Sequence, residues 1–145
     1  MSDSSAVSFE VKDAIAEITL NRPDRMNALD YDVLHELEVH LRRIREDLSD
    51  ARENTPYRVV CIRGAGKAFV AGADIKVMHN CSWEEVAQFI RLGQRVFRDI
   101  ESVPLPVIAV VDGFALGGGL ELALSCDLIV ATERSTLGQP ETKLG

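Results

Sequence analysis

Apolar and polar residues alternate at Val7, Phe9 and Val11 and again at Ala16, Ile18 and Leu20, on either side of Lys12-Asp13-Ala14. A period of two puts each set on one face of a strand, so the two runs predict a β-hairpin. After a turn at Asn21-Arg22-Pro23 the period lengthens. Leu34, Leu37, Leu41, Ile44 and Leu48 recur every three or four residues with charges between them, which predicts an amphipathic surface helix. Asn54-Thr55-Pro56 ends that region, and Tyr57 to Ile62 predicts a buried strand leading into Gly64-Ala65-Gly66. A second helix is expected from Ser82, which has capping-box spacing to Glu85, with Val86, Phe89, Ile90, Val96, Phe97 and Ile100 inward until Pro104 and Pro106 stop it.

The run Val107 to Val111 is short, β-branched and bounded by Pro and Asp-Gly, which predicts a fully buried strand. Three glycines then open a small-residue helix containing Leu120, Glu121, Leu122, Ala123 and Leu124, and two more strands are predicted at Leu128 to Ala131 and Ser135 to Leu137. This alternation of strands and helices is α/β with a largely parallel sheet, in one domain with no fixed-period repeat. Only four residues follow Glu141, with no closing element, so a fragment or an early stop is expected.

A content of 46% hydrophobic and 27% charged residues is that of an ordinary globular chain with one modest core. The formal charge of -7 argues against nucleic acid or an anionic membrane surface as the main partner, since both select clustered Lys and Arg. An anionic ligand would need a local basic site. Cys61, Cys81 and Cys126 are odd in number and far apart, which predicts reduced thiols in a cytoplasm-like compartment rather than a disulfide or thiolate metal framework. The N-terminal residues have no basic-then-apolar leader pattern, and no run reaches the roughly 18 apolar residues of a spanning helix, so a soluble, unprocessed cytoplasmic protein is expected.

Several groups could carry chemistry. Gly117, Gly118 and Gly119 allow close backbone approach, and the first amides of the following helix lack intrahelical acceptors, so the turn could bind negative oxygen; a tight corner needing close packing is the alternative. The small-residue turn from Lys67 through Ala71, Ala73, Asp74 and Ile75 could supply a second donor, or be a plain loop. Glu121 lies in an apolar sequence, where burial would disfavour its charged form and suit it to general acid or base work; a first-turn glutamate favoured by the helix dipole is the other account. Glu141 alone reads as a surface loop residue. Gly64-Ala65-Gly66-Lys67 is no phosphate loop, because Cys61 occupies the place of its first glycine and Ala68 that of its Ser or Thr. His35 and His40 are five apart on different helix faces, so no zinc site is expected; His79 reads as a solvated loop residue.

The order of motifs is more specific than any one of them. Asn21 to Leu29 (NRPDRMNAL), Ala68 to Ile75 (AFVAGADI), Asp112 to Asp127 (DGFALGGGLELALSCD) and Gly138 to Glu141 (GQPE) together closely resemble the N-terminal catalytic part of the crotonase, or enoyl-CoA hydratase/isomerase, family, from about residue 7 to the end. The resemblance implies a crotonase-like spiral of ββα units, with residues 1–145 forming a catalytic domain incomplete at its C-terminus. It implies that the amides of Ala73 and Gly118 form an oxyanion hole for a thioester carbonyl, and that Glu121 and Glu141 are the acid/base pair holding one water. Met26, Ala71, Ala73, Asp74, Ile75, Gly117 and Gly118 match the coenzyme A and substrate-binding segments, with Arg25 and Lys76 as candidate phosphate partners. The substrate class implied is an acyl-CoA thioester, with coenzyme A as part of the substrate, no separate cofactor and no metal. A homo-oligomer, trimer or hexamer, is implied for the full-length form. Hydration of a 2-enoyl-CoA is the first expectation. Double-bond isomerisation, thioester hydrolysis, or a non-catalytic form binding CoA or full-length subunits are the alternatives.

Overall fold

The computed structural model describes residues 5–50, 55–74 and 81–143. Ile75, Lys76, His79 and Asn54, all singled out above, lie outside the described residues. Strands β1 (Val7–Lys12) and β2 (Ile15–Leu20) form the expected antiparallel hairpin, in a register that pairs Phe9 with Ile18. Asp13 and Ala14 turn it with positive φ. A single 3-10 turn at Pro23–Arg25 leads to helix α1 (Tyr31–Asp50), which seals Leu34, Leu37, Leu41 and Ile44 against the sheet.

Each later stretch repeats one device. Strands β3 (Val59–Gly64), β5 (Val107–Val111) and β7 (Leu128–Ala131) extend a five-stranded sheet in the order β1-β2-β3-β5-β7. The short strands that follow them, β4 (Ala68–Val70), β6 (Phe114–Leu116) and β8 (Thr136–Gly138), build a second, three-stranded sheet in the order β4-β6-β8. Apart from the β1–β2 hairpin, the pairings are parallel. Helices α2 (Trp83–Glu101) and α3 (Gly118–Leu124) close two of these turns, so the chain winds as a spiral of ββα units. Ser82 caps α2 in a complete capping box with Glu85, as its spacing predicts.

Four details differ from the expectations. Strand β3 starts at Val59; Tyr57 precedes it, yet its ring is sealed and its hydroxyl donates to Asp47 at 3.0 Å. Strand β5 buries Val107, Ala109 and Val111 but leaves Ile108 and Val110 half-buried, because only one of its faces meets the core closely. Strands β4 and β6 are three residues each, too short for any period to show. Ile90 is 48% exposed rather than inward, and Leu92 takes the core position instead, because α2 turns Ile90 toward a cleft.

Candidate active site

Two loops meet above the small sheet, and the glycines there serve different ends. Gly117 has φ of 52° and donates its amide to the Gly138 carbonyl at 2.9 Å. A side chain there would also strike Glu141, whose Oε1 lies 2.0 Å from where a Cβ would sit. Gly119 is a packing glycine: a Cβ would come within 2.1 Å of the Val70 carbonyl, so α3 rests directly on the end of β4. Gly118 differs from both. A Cβ on it would meet Leu29 at 3.4 Å and the Ala73 amide nitrogen at 3.8 Å. The Gly118 and Ala73 backbones therefore face one another, and among the described residues neither amide has a backbone acceptor. The close-packing reading of the glycine turn holds at Gly119, while Gly118 is left facing Ala73.

The segment carrying Ala73 is strapped in place. Leu29 donates to Gly72 at 2.8 Å and accepts from Asp74 at 2.8 Å, while Ala71 donates to Met26 at 3.1 Å. This short parallel bridge makes Met26–Leu29 one wall of the site, with Met26 in left-handed backbone at φ 52° and partly exposed. Arg25 does not stand alone as a phosphate partner: its guanidinium lies 3.7 Å from Asp74 and 3.9 Å from Asp30.

The sequence reading passed over the residue that fixes this wall. Asn27 is fully buried with φ 55°; its side-chain oxygen accepts from the Arg22 amide at 2.8 Å, and its nitrogen donates to the carbonyls of Ala65 at 2.9 Å and Ala68 at 2.8 Å. One asparagine thus ties the 22–27 turn to the start of β4. Next to it the buried Asp30 accepts from the Val33 amide at the start of α1 and pairs with Arg22. A buried amide is tolerated where all its hydrogen bonds are met, as here. The available signal was the Asn27 and Asp30 pair flanking an apolar Ala-Leu, a polar pair where a loop must tuck inward.

A cavity of about 430 Å³ opens at this junction. Ala73, Gly118, Glu121 and Glu141 all line it, and Leu29, Leu34, Phe89, Ile90, Gly93, Gln94 and Phe97 complete the lining. The four residues expected to do chemistry are thus brought to one place. One expectation about them is corrected: Glu121 is exposed rather than set in buried surface, because α3 packs through Gly119, Leu122 and Ala123 and turns Glu121 to the cleft. Glu141, in the 3-10 turn Pro140–Lys143, is exposed as well. His35 and His40 stay apart from the cleft: His35 lies 3.7 Å from Glu38, and His40 stacks on Phe9 and contacts the Val7 carbonyl.

The sequence model described as Enoyl-CoA hydratase/isomerase matches residues 10–145. The chain belongs to the enoyl-CoA hydratase/isomerase family. It is 44% identical over 138 residues to a crotonyl-CoA hydratase of Syntrophomonas wolfei, covering 94% of this chain and 50% of that protein. It is 43% identical over 140 residues to a short-chain-enoyl-CoA hydratase of Clostridium acetobutylicum, covering 96% and 51%. The crystal structure of an enoyl-CoA hydratase from Bacillus anthracis superposes with a TM-score of 0.85 at 37% identity, covering 97% of this chain and 52% of that one. The crotonase-type fold expected from the motifs is the fold found, and the chain spans about half the length of the curated relatives it matches.

Proposed function

We propose that this chain carries the cleft of an enoyl-CoA hydratase, adding water across the 2,3 double bond of a 2-enoyl-CoA to give a 3-hydroxyacyl-CoA. The observation that carries the reading is the convergence of the Ala73 and Gly118 backbones with Glu121 and Glu141 around one cavity. In this reading the two amides, for which no backbone acceptor is found among the described residues, donate to the thioester oxygen as negative charge builds there; each such donor is worth about 10²- to 10³-fold in rate. Glu121 orients and activates a water for attack on the β-carbon. Glu141 delivers a proton to the α-carbon, and the proton it gives up is replaced from the water, so H and OH are both added. Met26, Ala71, Asp74 and Gly117 flank the coenzyme A moiety, and no cofactor beyond that moiety enters these steps.

The names of two relatives, a crotonyl-CoA hydratase and a short-chain-enoyl-CoA hydratase, support a short acyl chain. That both carboxylates are exposed favours, as a second reading, a cleft that binds acyl-CoA without turnover. Association of copies into a trimer or hexamer belongs to the same proposal, supported by the exposed apolar side chains of Leu124, Leu128 and Val130. A cytoplasmic setting is supported by Cys61 and Cys126, which form no disulfide. Among the described residues no helix is long and apolar enough to cross a membrane.

The test follows crotonyl-CoA absorbance with the protein taken from a sizing column, which also reports its assembly. Turnover that falls about 10²- to 10⁴-fold in both Glu121→Gln and Glu141→Gln supports hydration. Binding without turnover would select the second reading, and a monomer eluting at all concentrations would sink the oligomer.

A further inference from the structure

Helix α2 carries Gly93 deep in its interior, where glycine is among the least favourable residues because it has the most backbone freedom to lose. Nothing local demands it. Its φ lies outside the left-handed region, and among the described residues a Cβ there would meet only Leu34 Cδ1, at an ordinary contact distance of 3.9 Å. Close packing of α2 on α1 does not force it either, since Leu34 of α1 leaves room for a Cβ, and the helices also meet through the Tyr31 ring against Phe89 and the pairs Arg95–Glu38 and Arg45–Asp99. Gly119, where a Cβ would strike backbone at 2.1 Å, shows what a packing glycine looks like in this fold.

What Gly93 borders is the cavity, in a wall whose neighbours Phe89, Ile90 and Phe97 are large and apolar. A residue that weakens its own helix and borders a ligand cavity without being needed for packing is placed for the ligand. We propose that Gly93 is a specificity position: its missing side chain leaves a recess in the α2 wall that receives the distal carbons of the acyl chain. The proposal rests on the acyl-CoA reading of the cleft. The recess is apolar, so each methylene it takes should improve affinity about fourfold, the equivalent of the free energy of burying one CH₂.

The experiment titrates coenzyme A, butyryl-CoA, hexanoyl-CoA and octanoyl-CoA by calorimetry into the wild-type chain, Gly93→Ala and Gly93→Leu. The expected result is an affinity that climbs with acyl length in the wild type, climbs less in Gly93→Ala, and is flat beyond butyryl-CoA in Gly93→Leu. Octanoyl-CoA should lose about 250-fold with leucine, the value of the four methylenes beyond butyryl-CoA, while coenzyme A is unchanged. Melting temperature supplies a readout independent of ligand: Gly93→Ala should melt a few degrees, ~2–5 °C, higher, as expected where glycine is not structurally needed. A lower melting temperature, or equal losses for all four ligands, overturns the proposal. Length discrimination that survives both substitutions also overturns it while leaving the acyl-CoA reading intact. A wild type that binds no acyl-CoA better than coenzyme A removes both.

Discussion

Leu41 on α1 and Leu128 on β7 are the same residue type on regular elements of one α/β layer, yet the first is sealed and the second is 57% exposed. The contrast runs through the two ends of the large sheet. On the β1-β2-β3 side, Ile18, Leu20, Ile62, Leu37 and Ile44 are all fully buried under α1. On the β7 side, Leu124, Leu128, Val130 and Leu137 are exposed, and that end is pinned by polar contacts among Asp112, Thr132, Arg134 and Ser135. Apolar patterning therefore specifies that an element forms, while its burial depends on what covers it. The largest expected effect tests this directly. Leu41→Ala should cost about 2–5 kcal/mol in urea unfolding, whereas Leu128→Ala should stay within about 0.5 kcal/mol. Equal costs would show that the two ends are packed alike.

The second effect falls on the turn that joins the well-packed end to the cleft. Asn27→Ala strips donors from the carbonyls of Ala65 and Ala68 and an acceptor from the Arg22 amide, so a loss of about 1–3 kcal/mol is expected. Alanine is also disfavoured at the positive φ of this position, so Asn27→Gly separates the two causes. Because Met26 and Leu29 hold the Ala71–Asp74 segment, acyl-CoA affinity should fall along with stability in both variants. If affinity is untouched, the strap does not position the site.

The elements legible in the sequence were those with enough residues to show a period or a cap: the hairpin, α1, the Ser82 start of α2, and the strands of the large sheet. Strands β4 and β6 have three residues each and show no period, so of the second sheet, on which the cleft sits, only β8 was expected, at Ser135 to Leu137. The candidate site was legible as an ordered set of motifs: the glycine turns and the lone Glu121 in its apolar run are local features, whereas Glu141 took its role only from the resemblance. Their meeting in one cavity depends on the spiral, which brings Ala73, 45 positions earlier in the chain, beside Gly118. Ile90 and Glu121 show the same limit from the other side. Their sequence surroundings are apolar, but each sits on a helix face that looks into the cleft, so neither is buried.

The smallest effect concerns the polar pins of the exposed end. Asp112 follows β5 and accepts from Arg134 and Thr132 in the β7–β8 loop, so one carboxylate ties two turns of the spiral together. The Arg134 hydrogen bonds chiefly, with Thr132 helping, hold its pKa down at about 2 from the ordinary 3.8. A lowered carboxylate pKa contributes stability that is complete above the unfolded value and fades as pH falls toward the folded one. Asp112→Asn should therefore melt below the wild type at pH 5, and the gap should close between pH 4 and pH 2. The group is solvent-exposed, so the gap should be small and should shrink further in high salt. A gap that persists unchanged to pH 2 would mean that Asp112 acts through turn geometry rather than charge, and that the β7 end is held by backbone conformation instead of by its ion pair.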